Sequence, residues 1–161
     1  MTTLRPARPE DRDFLFSVYA STREEELAPV PWTEEQKAAF LRMQFAAQDA
    51  DYSRNYAGAD FSIVEVDRVP AGRLYVERRP AEIRLIDIAL LPSFQRAGIG
   101  TRLLTDLIGE AKTRGVPLRI HVEMFNPARR LYERLGFTPV EEHGVYTLME
   151  RRPEAVEVSV S

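Results

Sequence analysis

Between positions 95 and 101 the chain reads Gln95-Arg96-Ala97-Gly98-Ile99-Gly100-Thr101, a cation and two glycines ahead of a helical apolar pattern. The first N–H groups of a helix lack intrahelical partners, and the summed peptide dipoles place partial positive charge there. Such a turn suits a pyrophosphate: glycines let it approach the backbone, and Arg96 adds a full charge. A Walker loop would need Gly-Lys-Ser/Thr, which the chain lacks. A dinucleotide fingerprint would need a third glycine near Leu103 and an acidic residue ending the next strand, and neither is present. The plain alternative is an ordinary glycine-containing strand–helix turn. Two titratable residues stand apart. Asp87 interrupts the apolar run Ile86–Leu90, where an unpaired carboxylate is costly, so it needs a partner or a cleft to face. His121 has a side chain suited to proton transfer near neutral pH, with a satisfied sheet histidine as the equal alternative. Glu123 shares its strand face.

These residues need elements to hold them. Ile86–Leu90 is apolar, rich in β-branched residues and closed by Pro92, which predicts a buried strand. Leu103, Leu104, Leu107, Ile108 and Ala111 share one helix face, and Arg114-Gly115 ends that helix. Thr2–Pro6 predicts a first strand. Pro9-Glu10-Asp11 starts a helix that runs to about Glu26, with Phe14, Leu15, Val18 and Tyr19 as its buried stripe. Two prolines break it, and Thr33-Glu34-Glu35-Gln36 is a capping box for a second helix carrying Phe40, Leu41, Phe45 and Ala47. Asp51–Asp60 reads as loop. Strands over 61–66, 72–77 and 82–90, turned at Asp67–Pro70 and Arg79–Ala81, form an antiparallel meander. A fifth strand over 117–122 must lie beside the fourth through a crossover. Asn126-Pro127 starts a fourth helix that ends at Leu135-Gly136, and a hairpin turned at His143-Gly144 closes the pattern.

Composition bounds the classes. With 161 residues, 44% hydrophobic and 29% charged, one soluble domain over 1–152 is expected, with 153–161 as a tail. A net charge of −3 argues against general nucleic-acid binding. The absence of cysteine removes thiol nucleophiles and thiolate metal sites, and two histidines without His-x-x-x-His spacing argue against a catalytic metal. No apolar run reaches membrane length, so a cytoplasmic location and no membrane partner are expected.

The order strand, two helices, three strands, helix, strand, helix, two strands resembles that of the GCN5-related N-acetyltransferases, the GNAT superfamily. Gln95–Gly100 resembles that family's pyrophosphate loop. Asn126-Pro127-Ala128-Arg129-Arg130-Leu131-Tyr132-Glu133-Arg134-Leu135-Gly136-Phe137 resembles its second signature. The resemblance implies an α/β (α+β) fold: a mixed, mostly antiparallel sheet of about seven strands flanked by four helices. It also implies acetyl-CoA as acyl donor, no metal, and attack by a primary amine within a ternary complex.

Roles follow from the resemblance. The backbone of Ile88, Ala89 and Leu90 would run along the pantetheine arm, between splayed fourth and fifth strands. Gln95, Arg96, Ala97, Gly98, Ile99, Gly100 and Thr101 would hold the pyrophosphate. Asn126 would touch the cofactor arm, although it stands one residue nearer the tyrosine than is common in the family, so it is equally a helix cap. Tyr132 would protonate the departing thiolate. For the base that accepts the ammonium proton, His121 falls where some members carry a glutamate, Asp87 is second, Glu123 third, and a water chain the fallback. Arg84 occupies the fourth-strand position where other members carry a base.

In the family the first two helices wall the acceptor site. Here Glu25, Glu26 and Trp32 would offer a cationic amine an acidic and aromatic surface, with a solvated helix end as the alternative. The acceptor is expected to be a small-molecule or peptidyl amine. The tail Glu154–Ser161 alternates apolar and polar residues, so it is either an edge strand, including one across a homodimer, or disordered. The alternative from another class is a non-catalytic acyl-CoA-binding sensor.

Overall fold

The computed structural model describes residues 1–124 and 126–153; the alternating tail lies outside the described residues. The elements run β1 (Thr2–Pro6), α1 (Arg12–Leu27), α2 (Glu34–Asn55), β2 (Asp60–Val66), β3 (Val69–Arg78), β4 (Ile83–Leu90), α3 (Ile99–Arg114), β5 (Leu118–Glu123), α4 (Arg129–Arg134), β6 (Thr138–His143) and β7 (Tyr146–Arg151). Seven strands hydrogen-bond in the order β1-β2-β3-β4-β5-β7-β6. This is the mixed seven-strand, four-helix fold that the element order predicts. The chain divides into two compact units, Met1–Tyr75 with Ile88–Gln95, and Val76–Asp87 with the chain from Arg96 onward.

In the first unit β1 pairs antiparallel with β2 from Thr2↔Val66 to Pro6↔Ser62. The β2–β3 turn is tighter than expected. Asp67 and Arg68 both have positive φ, 50° and 72°, the pattern of a two-residue hairpin turn, so β3 begins at Val69. Leu15, Val18 and Tyr19 of α1 and Leu41 and Phe45 of α2 are buried, as are Ile63, Val64, Ala71, Leu74 and Tyr75 of the strands. Helix α1 starts at Arg12 rather than Pro9, because Pro9–Asp11 forms a 3-10 turn. Arg5 fastens that turn with paired bonds of 2.8 and 2.9 Å to Asp11 and reaches Glu65 at 2.8 Å. Asp51–Asn55 is the last stretch of α2, not loop. Asn55 donates to Asp51 Oδ1 at 2.7 Å, and Tyr52 meets Tyr56 and Tyr75 edge-on, so a polar-looking segment has its own anchors.

In the second unit β5 pairs with β7, and β7 with β6, both antiparallel, while β4 and β5 run parallel. Helix α3 buries Leu103, Leu104, Leu107 and Ala111. Gly115 (φ 69°) ends it in a Schellman motif, Val116 N–H to Ala111 C=O and Gly115 N–H to Lys112 C=O. Helix α4 is shorter than predicted and begins at Arg129. The Asn126 side chain accepts the Ala128 N–H at 2.9 Å, and its carbonyl accepts Arg129 N–H at 3.0 Å, so Asn126–Ala128 is a turn leading into the helix. At the far end Gly136 (φ 95°) closes α4 with Phe137 N–H bonded to Tyr132 C=O. Among the described residues no helix is long and apolar enough to cross a membrane.

Candidate active site

The β4–β5 ladder is short. Its register covers Ile83↔Leu118, Arg84↔Arg119 and Leu85↔Ile120, whereas β5 stays paired with β7 as far as Glu123. Beyond that ladder run Ile86 and Asp87 on one strand and His121, Val122 and Glu123 on the other. Tyr132 is held on α4 by the turn at Asn126 and the cap at Gly136, with its ring buried and edge-on to Phe137 at 5.7 Å. Its hydroxyl has no hydrogen-bond partner among the described residues. Burial first, and then the charge of Asp87, raise its pKa well above the ordinary tyrosine value. The phenol therefore stays protonated at neutral pH, as a proton donor must.

His121 is exposed and sits beside Arg84, whose Nη1 lies 3.3 Å from the ring Nδ1. Arg84 is held by Glu82 at 3.3 and 3.4 Å. Glu82 is buried and also takes Arg79 at 2.8 Å and Arg119 at 3.3 Å. Burial pushes the Glu82 pKa up, but Arg84, Arg79 and Arg119 together hold it below the carboxylate range. The His121 pKa is lowered, by partial desolvation from its neighbours first and then by the charges of Arg84 and His143, against the opposite pull of Glu82 and Glu141. The structure thus brings Asp87 within electrostatic reach of Tyr132, and gathers Arg84 and His143 around His121. Glu82 and His143 were not singled out by sequence; only strand pairing puts them there.

The loop ahead of α3 has two left-handed residues. Arg96 (φ 63°) is a non-glycine residue outside a hairpin, and Gly98 (φ 79°) is the α3 N-cap. A strained φ of this kind persists only where surrounding structure enforces it, and it clusters at ligand sites. The first α3 bond runs from Arg102 N–H to Gly98 C=O, so the N–H groups of Ile99, Gly100 and Thr101 precede the ladder. Arg96 is exposed, and its guanidinium has no ion pair among the described residues. Those features fit a pyrophosphate. Among the described residues no group of three or more His, Cys, Asp or Glu side chains could hold a metal.

In the first unit the end of β4 leaves regular pairing with β3. From the turn bond Arg79 N–H to Glu82 C=O, eight residues along β3 reach Ala71, whereas nine along β4 reach Leu91, which donates to Ala71 C=O. The extra residue is a β-bulge, a device that re-aims backbone groups. A Cβ on Gly72 would stand 2.1 Å from Ala89 O and 2.9 Å from Leu90 Cα, so only glycine permits this approach. An isolated strand glycine was the available sequence signal for it. Gln95 Nε2 donates to Leu90 C=O at 2.9 Å, so the predicted cofactor contact Gln95 fastens the strand end. Of the residues expected to wall the acceptor site, Glu26 pairs with Arg23 at 3.0 Å, Glu25 is exposed, and Trp32 is 41% exposed with its ring edge-on to Phe40. Among the described residues no hydrogen bond or ion pair joins Glu25 or Glu26 to Trp32.

The model of the acetyltransferase (GNAT) family matches residues 17–137. The chain belongs to the GNAT family. Among curated relatives, the [ribosomal protein bS18]-alanine N-acetyltransferase of Haemophilus influenzae is 44% identical over 61 residues, 37% of this chain and 42% of that protein. The mycothiol acetyltransferase of Thermobifida fusca is 34% identical over 119 residues, 63% of this chain and 36% of that protein. The chain thus spans well under half the length of these curated relatives. Among solved structures, PaiA N-acetyltransferase from Thermoplasma acidophilum in complex with coenzyme A superposes with a TM-score of 0.70 at 20% identity, over 94% of this chain and 99% of that one. At that identity the likeness is one of fold.

Proposed function

We propose that the chain transfers the acetyl group of acetyl-CoA to a primary amine by direct attack, with both reactants bound together. The observation that carries this reading is the early end of the β4–β5 ladder, with Asp87 on one flanking strand, His121 on the other and the phenol of Tyr132 under the Asp87 charge. Acetyl-CoA, when bound, supplies a thioester already activated toward amines, so the protein's task is mainly positioning.

Each part of the chain has a share in that task. Arg96 and the N–H groups at the start of α3 hold the pyrophosphate, with Gln95, Ala97, Gly98, Ile99, Gly100 and Thr101 shaping the turn. Ile88, Ala89 and Leu90 offer backbone groups to the pantetheine arm, and an N–H at the bulge stabilises negative charge developing on the thioester oxygen. Tyr132 gives its proton to the departing thiolate. Asp87 takes the ammonium proton, with His121 on the neighbouring strand, and Asn126 fixes the turn that carries Tyr132. Glu25, Glu26 and Trp32 are assigned to the acceptor wall. Matched relatives are named for an alanine amine of ribosomal protein bS18 and for mycothiol, which supports a small or peptidyl amine as acceptor.

Arg84, standing where other members carry a base, favours one second reading: a non-catalytic acyl-CoA sensor. Release of free coenzyme A from acetyl-CoA with a panel of primary amines separates the two. With no cysteine in the chain, a thiol reagent reads that release without background. Amine-dependent release that Tyr132→Phe suppresses supports transfer, and acetyl-CoA binding without release supports the sensor.

A further inference from the structure

An arginine side chain only donates hydrogen bonds. Where Arg84 Nη1 lies 3.3 Å from His121 Nδ1, the ring nitrogen must therefore be the acceptor. In neutral imidazole one nitrogen accepts and the other carries the proton, so the proton of His121 resides on Nε2. Arg84 is not free to turn away. Its Nη2 is committed to Glu82, which Arg79 and Arg119 hold in turn. We infer that His121 is a neutral hydrogen-bond donor, Nε2–H, that selects an acceptor amine bearing a carbonyl or carboxylate oxygen close to its nitrogen, and that it is not the general base. The inference rests on the acetyltransferase reading for its substrate half only.

The groups around His121 favour the neutral ring. Arg84 from β4 and His143 from β6, whose ring centroid is 5.9 Å away, oppose a second positive charge. His143 is itself tied to Glu141, with Nε2 donating to Oε2 at 2.8 Å. Glu82 and Glu141 pull the other way, and the β7 residue opposite His121 is the uncharged Leu148. A base must offer a lone pair to the substrate proton. The Nδ1 lone pair is occupied by Arg84 and Nε2 has none to offer, so the exposed ring has only an N–H to present. An oxygen next to the amine, as at the N-terminus of a peptide or the α-position of an amino acid, is the matching acceptor.

The test has two arms. Long-range proton–nitrogen NMR correlations on the 15N-labelled full chain at pH 7 report the tautomer directly, without turnover. The Nε2–H pattern is expected in wild type, with Nδ1–H or imidazolium gaining population in Arg84→Gln. Kinetics then separate donor from base. His121→Gln keeps an N–H donor but cannot act as a base, so it should retain the preference for a peptide amine over a simple alkylamine that His121→Ala loses. His121→Ala should raise the ratio of the peptide-amine KM to the alkylamine KM about tenfold. An Nδ1–H or charged ring in wild type overturns the inference, and so does His121→Gln as inactive as His121→Ala with unchanged acetyl-CoA affinity. Failure of the wild type to bind acetyl-CoA would instead remove the acetyltransferase reading, while the NMR result would still decide the tautomer.

Discussion

At the scale of single residues, Tyr132 and Arg5 make opposite kinds of contribution. The Tyr132 hydroxyl has no protein partner among the described residues, so removing it costs little stability and falls on chemistry. Tyr132→Phe should lower kcat by about a hundredfold, the ordinary worth of a general acid, with melting temperature and acetyl-CoA affinity unchanged. Arg5 and Asp11 serve the scaffold. Their paired bonds, with the Arg8 N–H also donating to Asp11, hold the Asp11 carboxyl down at about 2. Replacing Asp11 by alanine removes charge-assisted bonds at the start of α1 and should cost roughly 2 kcal/mol in denaturant unfolding. The turn into α3 was legible in residue types alone, because Arg96, Gly98 and Gly100 precede a clear helical stripe. The environment of His121 was not legible, because Arg84 and His143 are far from it in sequence and only strand pairing brings them together.

Among the elements, β4 carries the most consequence per residue. Its pairing with β5 stops after three residues, and its end bulges against β3 where Gly72 leaves room for Ala89. Gly72→Ala would drive a methyl group into a backbone carbonyl. It is expected to lower stability by roughly 2 kcal/mol or more, and also to weaken acetyl-CoA binding by shifting Ala89 and Leu90. Thermal unfolding and calorimetry on the same preparation check both effects, and a variant as stable as wild type would remove the close approach from the argument. Periodicity located most elements because apolar faces were regular, as on α3. It failed at Asp51–Asn55, where tyrosine packing and an Asp–Asn pair make a helix from polar residues, and at Asn126–Ala128, where an asparagine side chain takes the place of a helical turn.

For the molecule as a whole, proton linkage gives a direction to stability against pH. The Asp11 carboxyl titrates lower in the folded chain than in the unfolded one, from 3.8 down to about 2. Its contribution is therefore complete above the ordinary carboxylate range and is lost as pH falls through that window. Glu82 behaves in the same sense. His121 is lowered from 6.5, so just below that value the unfolded chain binds a proton that the folded chain refuses, and stability declines as pH falls. Scanning calorimetry from pH 8 to 3 should show a melting temperature that declines below about 6.5 and again, more steeply, below about 4. In Asp11→Asn the lower step should be smaller. Fold class was readable at this scale because two short motifs sat on the right elements in the right order; the β4–β5 opening was not, since strand residues look alike whether or not their neighbour stays paired.

Isothermal titration calorimetry of the full chain with acetyl-CoA, beside Gly98→Asp, tests most directly whether the Arg96–Thr101 turn holds the cofactor. A Cβ at Gly98 meets nothing within 4 Å, so the substitution acts through its φ of 79° and through a carboxylate set at the α3 N-terminus. Saturable one-to-one binding by wild type, abolished in a Gly98→Asp protein that keeps the wild-type circular dichroism spectrum, is the result predicted. A well-folded wild type that gives no binding heat, or a Gly98→Asp protein that binds as tightly as wild type, would contradict it.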